Sequence, residues 1–346
     1  MSDDPSHRIL FLYSELAGYF LACAKELGKT NWVEAVKVIH WPMHPEAPFE
    51  FNSSNEYELL EKSGLSRKQL HEEVASFGPS AIVCSGWMDS DYNSVARLWR
   101  KNVPVVLTFD NWWTGSLKQR LAVLTSPIFI KRHFNRAWIP GQPQMTLAKR
   151  LGFAKEHIST GFYCADPAPF KDICKERQEI ALKKKLLFVG RYLAIKGIRE
   201  LWETFAGLSE EHPDWELHCI GTGNLWAERE IHSKIIHHGF VQPDELYEHV
   251  VDAAAFVMPS HKEPWGVVLH EMAIAGLPLL ANPQVGSASC FLQDNGIAIP
   301  EHGMREALLA FMSMSEDSLR AMGNRSHAIS LTITPSIWAS QLKSLL

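Results

Sequence analysis

Short apolar runs of strand length alternate with helix-period stretches from one end of the chain to the other. In the first half the strand-like runs are Arg8 to Tyr13, Ala35 to Ile39, Ala81 to Ser85, Pro104 to Thr108 and Pro127 to Ile130. Helical patterns such as Gly18 to Leu27 and Asp91 to Trp99 fall between them. Such alternation predicts parallel strands joined by crossover helices, an open α/β sheet. The second half repeats the plan with Lys185 to Val189, Trp215 to Ile220, Ile235 to His238, Ala254 to Met258 and Pro278 to Ala281. Between the halves, Ala165 to Phe170 (ADPAPF) has no periodicity and two prolines, which predicts a linker with its boundary near Pro169. The expected organisation is two Rossmann-like, doubly wound domains over 1–168 and 169–332. They would face a central cleft at the carboxyl ends of their strands, where this architecture binds ligands.

Length and composition agree with that plan. A chain of 346 residues suits two domains, and 46% apolar with 21% charged residues is globular composition. A net charge of −5 excludes a general nucleic-acid binder of the basic type. The six cysteines have no CxxC or zinc-like spacing and read as buried free thiols of a reducing compartment. Acidic residues stand where a leader peptide carries its positive charge, and no run of about 18 apolar residues occurs. The expectation is a cytoplasmic, soluble protein.

Candidate chemistry concentrates between Pro259 and Asn282 (PSHKEPWGVVLHEMAIAGLPLLAN). A strand ends in a polar loop bearing Glu263 and Pro264, and a helix starts near Trp265 or Gly266. The amides of Trp265, Gly266, Val267 and Val268 then lie at a helix N-terminus, ready for an anion or hydroxyl. Glu263 either serves a ligand or interacts with the helix dipole. Glu271 sits about 8 Å further along an apolar helix, at 1.5 Å per residue. A carboxylate there needs a partner, and a ligand's hydroxyl pair would supply one.

A second group follows the strand LLFVG. Arg191 and Lys196 lie in the next loop between Gly190 and Gly197. Two cations at a strand's carboxyl end suit a diphosphate; the alternative is a pair of solvated surface cations. A third group, Gly221-Thr222-Gly223, has the first two glycines of a dinucleotide fingerprint, but Trp226 stands in place of the third, so a tight turn explains it equally well.

Taken in order, FVGRYLAIKG, IGTGN, HGFVQPDEL and EPWGVVLHE resemble the C-terminal half of a GT-B glycosyltransferase of the retaining, family 4 type. The resemblance covers about 110 residues. It implies that Arg191 and Lys196 hold a donor's diphosphate, that Glu263 meets the transferred sugar and that Glu271 binds the ribose hydroxyls. Phe240 and Val241 would lie against the base. It also implies a UDP- or GDP-sugar as substrate, with no cofactor and no bound metal. The last segment, 333–346, would cross back onto the N-terminal domain.

The N-terminal half follows the family less well. Its first loop offers only Gly18 where relatives often carry two glycines, and Asp110 stands where many carry a histidine. Glu15 and Asp110 either face the cleft or serve as loop and cap residues.

From Asn111 to Lys155 the chain has eight cations and no acidic residue, leaving −13 for the remainder (−5 minus 8). Trp112, Trp113, Phe129, Phe134 and Trp138 are interleaved with them. Trp112 and Trp113 are candidates for stacking on an acceptor sugar. The stretch suits a glycan or lipid-linked saccharide acceptor, peripheral contact with an anionic membrane, or simply a solvated face. No nucleic-acid module accompanies it. The histidines near the motifs form no set at metal spacing along the chain. Transfer of a sugar from a nucleotide donor, with retention, is the function expected. A same-fold epimerase or hydrolase and a non-catalytic nucleotide-sugar binder are the alternatives.

Overall fold

The computed structural model describes residues 6–43 and 51–346. The acids of the first five residues lie outside the described residues. The chain forms two compact units, one running to Cys164 and taking in Pro335–Leu346, the other spanning Ala165–Thr334.

The first unit holds a seven-stranded sheet of β1 (His7–Tyr13), β2 (Val33–His40), β3 (Glu58–Glu61), β4 (Ala81–Ser85), β5 (Val105–Thr108), β6 (Arg136–Trp138) and β7 (Ile158–Ser159). Its spatial order is β3-β2-β1-β4-β5-β6-β7. The second unit has β8 (Lys183–Val189), β9 (Glu216–Ile220), β10 (Ile235–Gly239), β11 (Ala253–Met258), β12 (Leu279–Ala281) and β13 (Gly296–Ala298). These run in the order β10-β9-β8-β11-β12-β13. Every strand pairing among the described residues is parallel. In each sheet the order turns back beside its first strand, which is the doubly wound plan. Strands β1, β4 and β11 are nearly uniformly buried because helices cover both faces, which is why they read as continuous apolar runs.

One strand assignment is corrected. Pro127–Ile130 is not a strand: residues 127–129 end the helix Leu117–Phe129, and Ile130 caps it. That helix begins at Ser116, whose hydroxyl accepts from the amide of Gln119. Pro127 sits in the last turn, where little of the helix remains to be disrupted. The strand of this region is β6, whose three residues are too few to show a period.

The C-terminal helix Pro335–Ser344 belongs to the first unit. Its Trp338 is fully buried and donates from Nε1 to the carbonyl of Phe162 at 2.6 Å. The indole lies 4.7 Å from the ring of Trp138 and is stacked 5.9 Å from Phe11 on β1. The last residues of the chain thus complete the core of the unit that begins it. Trp338→Ala should therefore destabilise this unit by about 3–5 kcal/mol, the usual cost of emptying a buried aromatic site. A urea melt of the full chain followed by circular dichroism would show a lowered midpoint.

Candidate functional site

In the second unit the loops leaving β8, β9 and β11 touch through bare backbone. A Cβ on Gly221 would stand 2.0 Å from the carbonyl oxygen of Gly190, and one on Gly197 would stand 2.3 Å from that of Pro259. Both positions also have positive φ, 130° and 67°. No other residue fits either place. Hydrogen bonds join the same loops: Gly190 N–H donates to Ile220 O at 2.9 Å, Tyr192 N–H to Thr222 O at 2.8 Å and His261 N–H to Ile195 O at 3.0 Å. The glycines singled out in the sequence therefore fuse three strand ends into one platform.

Lys196 and Glu263 meet on that platform. The Lys196 ammonium forms an ion pair with Glu263 Oε2, and both side chains are mostly buried, at 18% and 13% exposure. Arg191, in the same loop as Lys196, is exposed and has no ion pair among the described residues. Glu263 is fixed by its own backbone: its N–H donates to Gln284 O at 3.1 Å, and its carbonyl accepts from Gly286 N–H at 3.0 Å. Ser287 Oγ donates to Gly266 O at 2.9 Å, and Ser287 N–H donates to Trp265 O at 2.9 Å. The segment Gln284 to Ser287 thus pins the loop holding Glu263, Pro264, Trp265 and Gly266.

The following helix runs Val267–Ile274, one or two residues later than the spacing suggests, because Gly266 at φ 84° turns left-handed before it. Val267 and Val268 supply its first amides. The Trp265 side chain is buried. Glu271 is half-buried on this helix, and its carboxylate finds no hydrogen-bond partner among the described residues. Removal from water, reinforced by the charge of Asp166, pushes its pKa up to about 7. Phe240 is exposed just beyond Gly239 at the end of β10, with Val241 after it half-buried. Sequence reasoning passed over Ser260, whose hydroxyl is buried in the loop after β11 without a hydrogen-bond partner among the described residues. Its only sequence signal was a small polar residue directly after an apolar strand.

The histidines take structural parts. His270 is fully buried, accepts at Nδ1 from Ala165 N–H at 3.1 Å and donates from Nε2 to Ser330 O at 3.0 Å. Burial lowers its pKa to about 4, so it is a neutral brace rather than a site residue. His218 on β9, His238 on β10 and His249 beyond them bring one ring nitrogen each within 4.8 Å, a grouping the linear spacing did not reveal. Three imidazoles of this kind could hold a zinc-like ion. Burial disfavours charge on all three, and Lys185 adds its own field at each, which opposes a bound cation.

In the first unit Gly18 opens the helix Gly18–Gly28, and a Cβ there would meet nothing within 4 Å. Glu15 is exposed beside it. Asp110 follows β5, and its Oδ2 accepts from the Tyr163 hydroxyl at 3.5 Å. The carbonyl of Trp112 accepts from Gln119 Nε2 at 2.6 Å. The Arg150 guanidinium lies 4.4 Å over the ring of Trp113, covering one of the faces a sugar would need. Phe134 and Trp138, counted in sequence among the aromatics of the basic stretch, are core residues.

Part of the chain matches known proteins. Residues 183–314, which contain the whole platform, match the family model described as glycosyl transferases group 1. The chain is 28% identical over 158 residues to a 2-deoxystreptamine N-acetyl-D-glucosaminyltransferase of Niallia circulans, covering 42% of this chain and 38% of that protein. It is 23% identical over 290 residues to a glycogen synthase of Mycobacterium tuberculosis, covering 72% and 64%. The chain thus spans less than two thirds of the length of either relative. In fold it is similar to Anabaena HepE solved with UDP and glucose (TM-score 0.72, 14% identity, 98% of both chains). It is equally similar to a sucrose-phosphate synthase from Thermosynechococcus elongatus (TM-score 0.72, 17% identity, 98% of both chains). The two parallel-sheet units are therefore those of the GT-B class.

The raised pKa of Glu271 has a measurable consequence. A carboxyl that titrates near 7 in the folded chain and near 4.5 unfolded favours folding below about pH 4.5, and that advantage is lost as pH rises through 7. Glu271→Gln cannot ionise. It should gain on the order of 2 kcal/mol over wild type between pH 4.5 and 8, checked by urea melts of both proteins across that range.

Proposed function

We propose that this chain is a retaining glycosyltransferase. In this reading the second unit binds a UDP- or GDP-sugar and the first unit receives a hydroxyl acceptor on a glycan or a lipid-linked saccharide. The observation that carries the reading is the Lys196–Glu263 ion pair on a glycine-built platform inside the segment matching glycosyl transferases group 1.

The chemistry follows from the charges. A donor's diphosphate brings two negative charges to a place where, among the described residues, Lys196 has one carboxylate partner and Arg191 has none. The diphosphate competes with Glu263 for the ammonium and also takes the guanidinium as a fork. Glu263, released, turns its oxygens to the hydroxyls of the sugar. Glu271 accepts from the ribose hydroxyls, which compensates the water it lost on burial. As the bond from the anomeric carbon to the diphosphate oxygen breaks, charge grows on that oxygen, and the two cations stabilise it in place. They do the electrostatic work for which other transferases use a metal. No carboxylate is assigned as a covalent nucleophile, so the acceptor oxygen enters on the face the diphosphate leaves, and its hydroxyl proton passes to the departing diphosphate oxygen.

Support for a nucleotide-sugar donor comes from the family match and from the UDP-bound solved relative of the same fold. A thermal-shift screen with UDP, GDP, ADP and their sugars should pick out one nucleotide series. With that donor, Lys196→Ala should depress turnover about 100-fold or more, the scale of losing one charge that stabilises a leaving group. Glu271→Gln should weaken donor binding about tenfold, as for loss of a charged hydrogen bond. Near wild-type kinetics in both variants would overturn the assignment.

A further inference from the structure

The helix Leu117–Phe129 carries an apolar face that nothing in the described chain covers. Leu117, Leu121, Leu124 and Ile128 are spaced by four, three and four residues. At 3.6 residues per turn they fall within about 60° of one another. Together with Phe129 at the helix end they are 54% to 84% exposed, whereas large apolar side chains elsewhere in this unit are mostly buried. Ser126, on the opposite side of the helix, is buried, so the helix is seated with its most apolar stripe outward. This inverts the usual amphipathic arrangement of a surface helix.

The charges around the stripe are of one sign. Lys118 and Arg120 project on its two flanks, and Lys131 and Arg132 follow the helix end, all exposed. No aspartate or glutamate occurs anywhere from residue 111 to residue 155. A protein partner could cover an apolar stripe, but a row of leucines edged by cations with no acid among them is complementary to an anionic lipid surface. The apolar side chains enter the acyl boundary and the cations stay at the headgroups. At 1.5 Å per residue the helix is about 20 Å long. No helix among the described residues is long and apolar enough to cross a membrane. The contact is therefore one of lying on the surface.

We propose that the helix Leu117–Phe129 docks the protein onto anionic phospholipid bilayers, with Leu121 and Leu124 at the centre of the inserted stripe. This inference does not rest on glycosyl transfer, and its test reads neither donor nor product. The full chain is sedimented with vesicles of phosphatidylcholine alone or with 30% (about one lipid in three) phosphatidylglycerol, at low and high salt. The wild type should partition onto the anionic vesicles at low salt, at least tenfold more than onto neutral ones, and less at high salt. Leu121→Glu with Leu124→Glu should lower that partition at least tenfold, and Lys118→Glu with Arg120→Glu should lower it and remove the salt dependence. Both pairs are at the surface, so unchanged circular dichroism melts are the control for folding. Absence of wild-type binding to anionic vesicles at low salt overturns the proposal. So does equal binding by the Leu121→Glu, Leu124→Glu variant, or a self-associated wild type that this variant converts to monomer without any vesicle binding.

Discussion

The second unit is organised by the absence of side chains at two backbone crossings. Because Gly221 lies against Gly190 and Gly197 against Pro259, the loops after β8, β9 and β11 cannot separate or slide without breaking backbone hydrogen bonds. That constraint brings Lys196, from one loop, into register with Glu263, from another, although 67 residues separate them in the chain. It also explains why a mostly buried ion pair is tolerated. Each partner is held by fixed backbone, so little further order is needed to bring them together, and a ligand with more charge can exchange with one of them.

The same loop geometry sets the place of Glu271. Its helix starts only after the left-handed turn at Gly266, and that turn is held by Ser287. The carboxyl is therefore delivered into a poorly solvated position with no hydrogen-bond partner among the described residues, a costly arrangement for stability that makes sense where a ligand supplies the hydroxyls. His270, one residue earlier, braces the start and the end of the second unit through Ala165 and Ser330. Neighbours in sequence thus divide between site and scaffold because one step along the helix turns the side chain by about 100°.

Much of this was legible in the sequence, and the exceptions have physical reasons. Buried parallel strands leave unbroken apolar runs, so β1, β4, β8 and β11 could be read directly. Strands β3, β6, β7 and β13, two to four residues long, leave no period to read. The Pro127–Ile130 run looked like a strand because an apolar stripe turned to solvent breaks the assumption that apolar means buried. The opposite error grouped Phe134 and Trp138 with Trp112 and Trp113: aromatics interleaved with cations were read as one exposed face, whereas these two are buried in the core. In the site, the glycines and the paired glutamates were visible as spacing. The ion pair between Lys196 and Glu263, the hydroxyl of Ser260 and the bracing role of His270 depend on segments far apart in the chain, which local pattern does not encode.

The central claim is that Lys196 exchanges its carboxylate for a diphosphate. Isothermal titration of the matching nucleoside and nucleoside diphosphate into wild type and Lys196→Ala measures that exchange directly. The account predicts that wild type binds the diphosphate at least about 30-fold more tightly than the nucleoside, a difference of about 2 kcal/mol, and that Lys196→Ala removes most of the preference while binding the nucleoside as before. Equal preference for the diphosphate in the two proteins would contradict it.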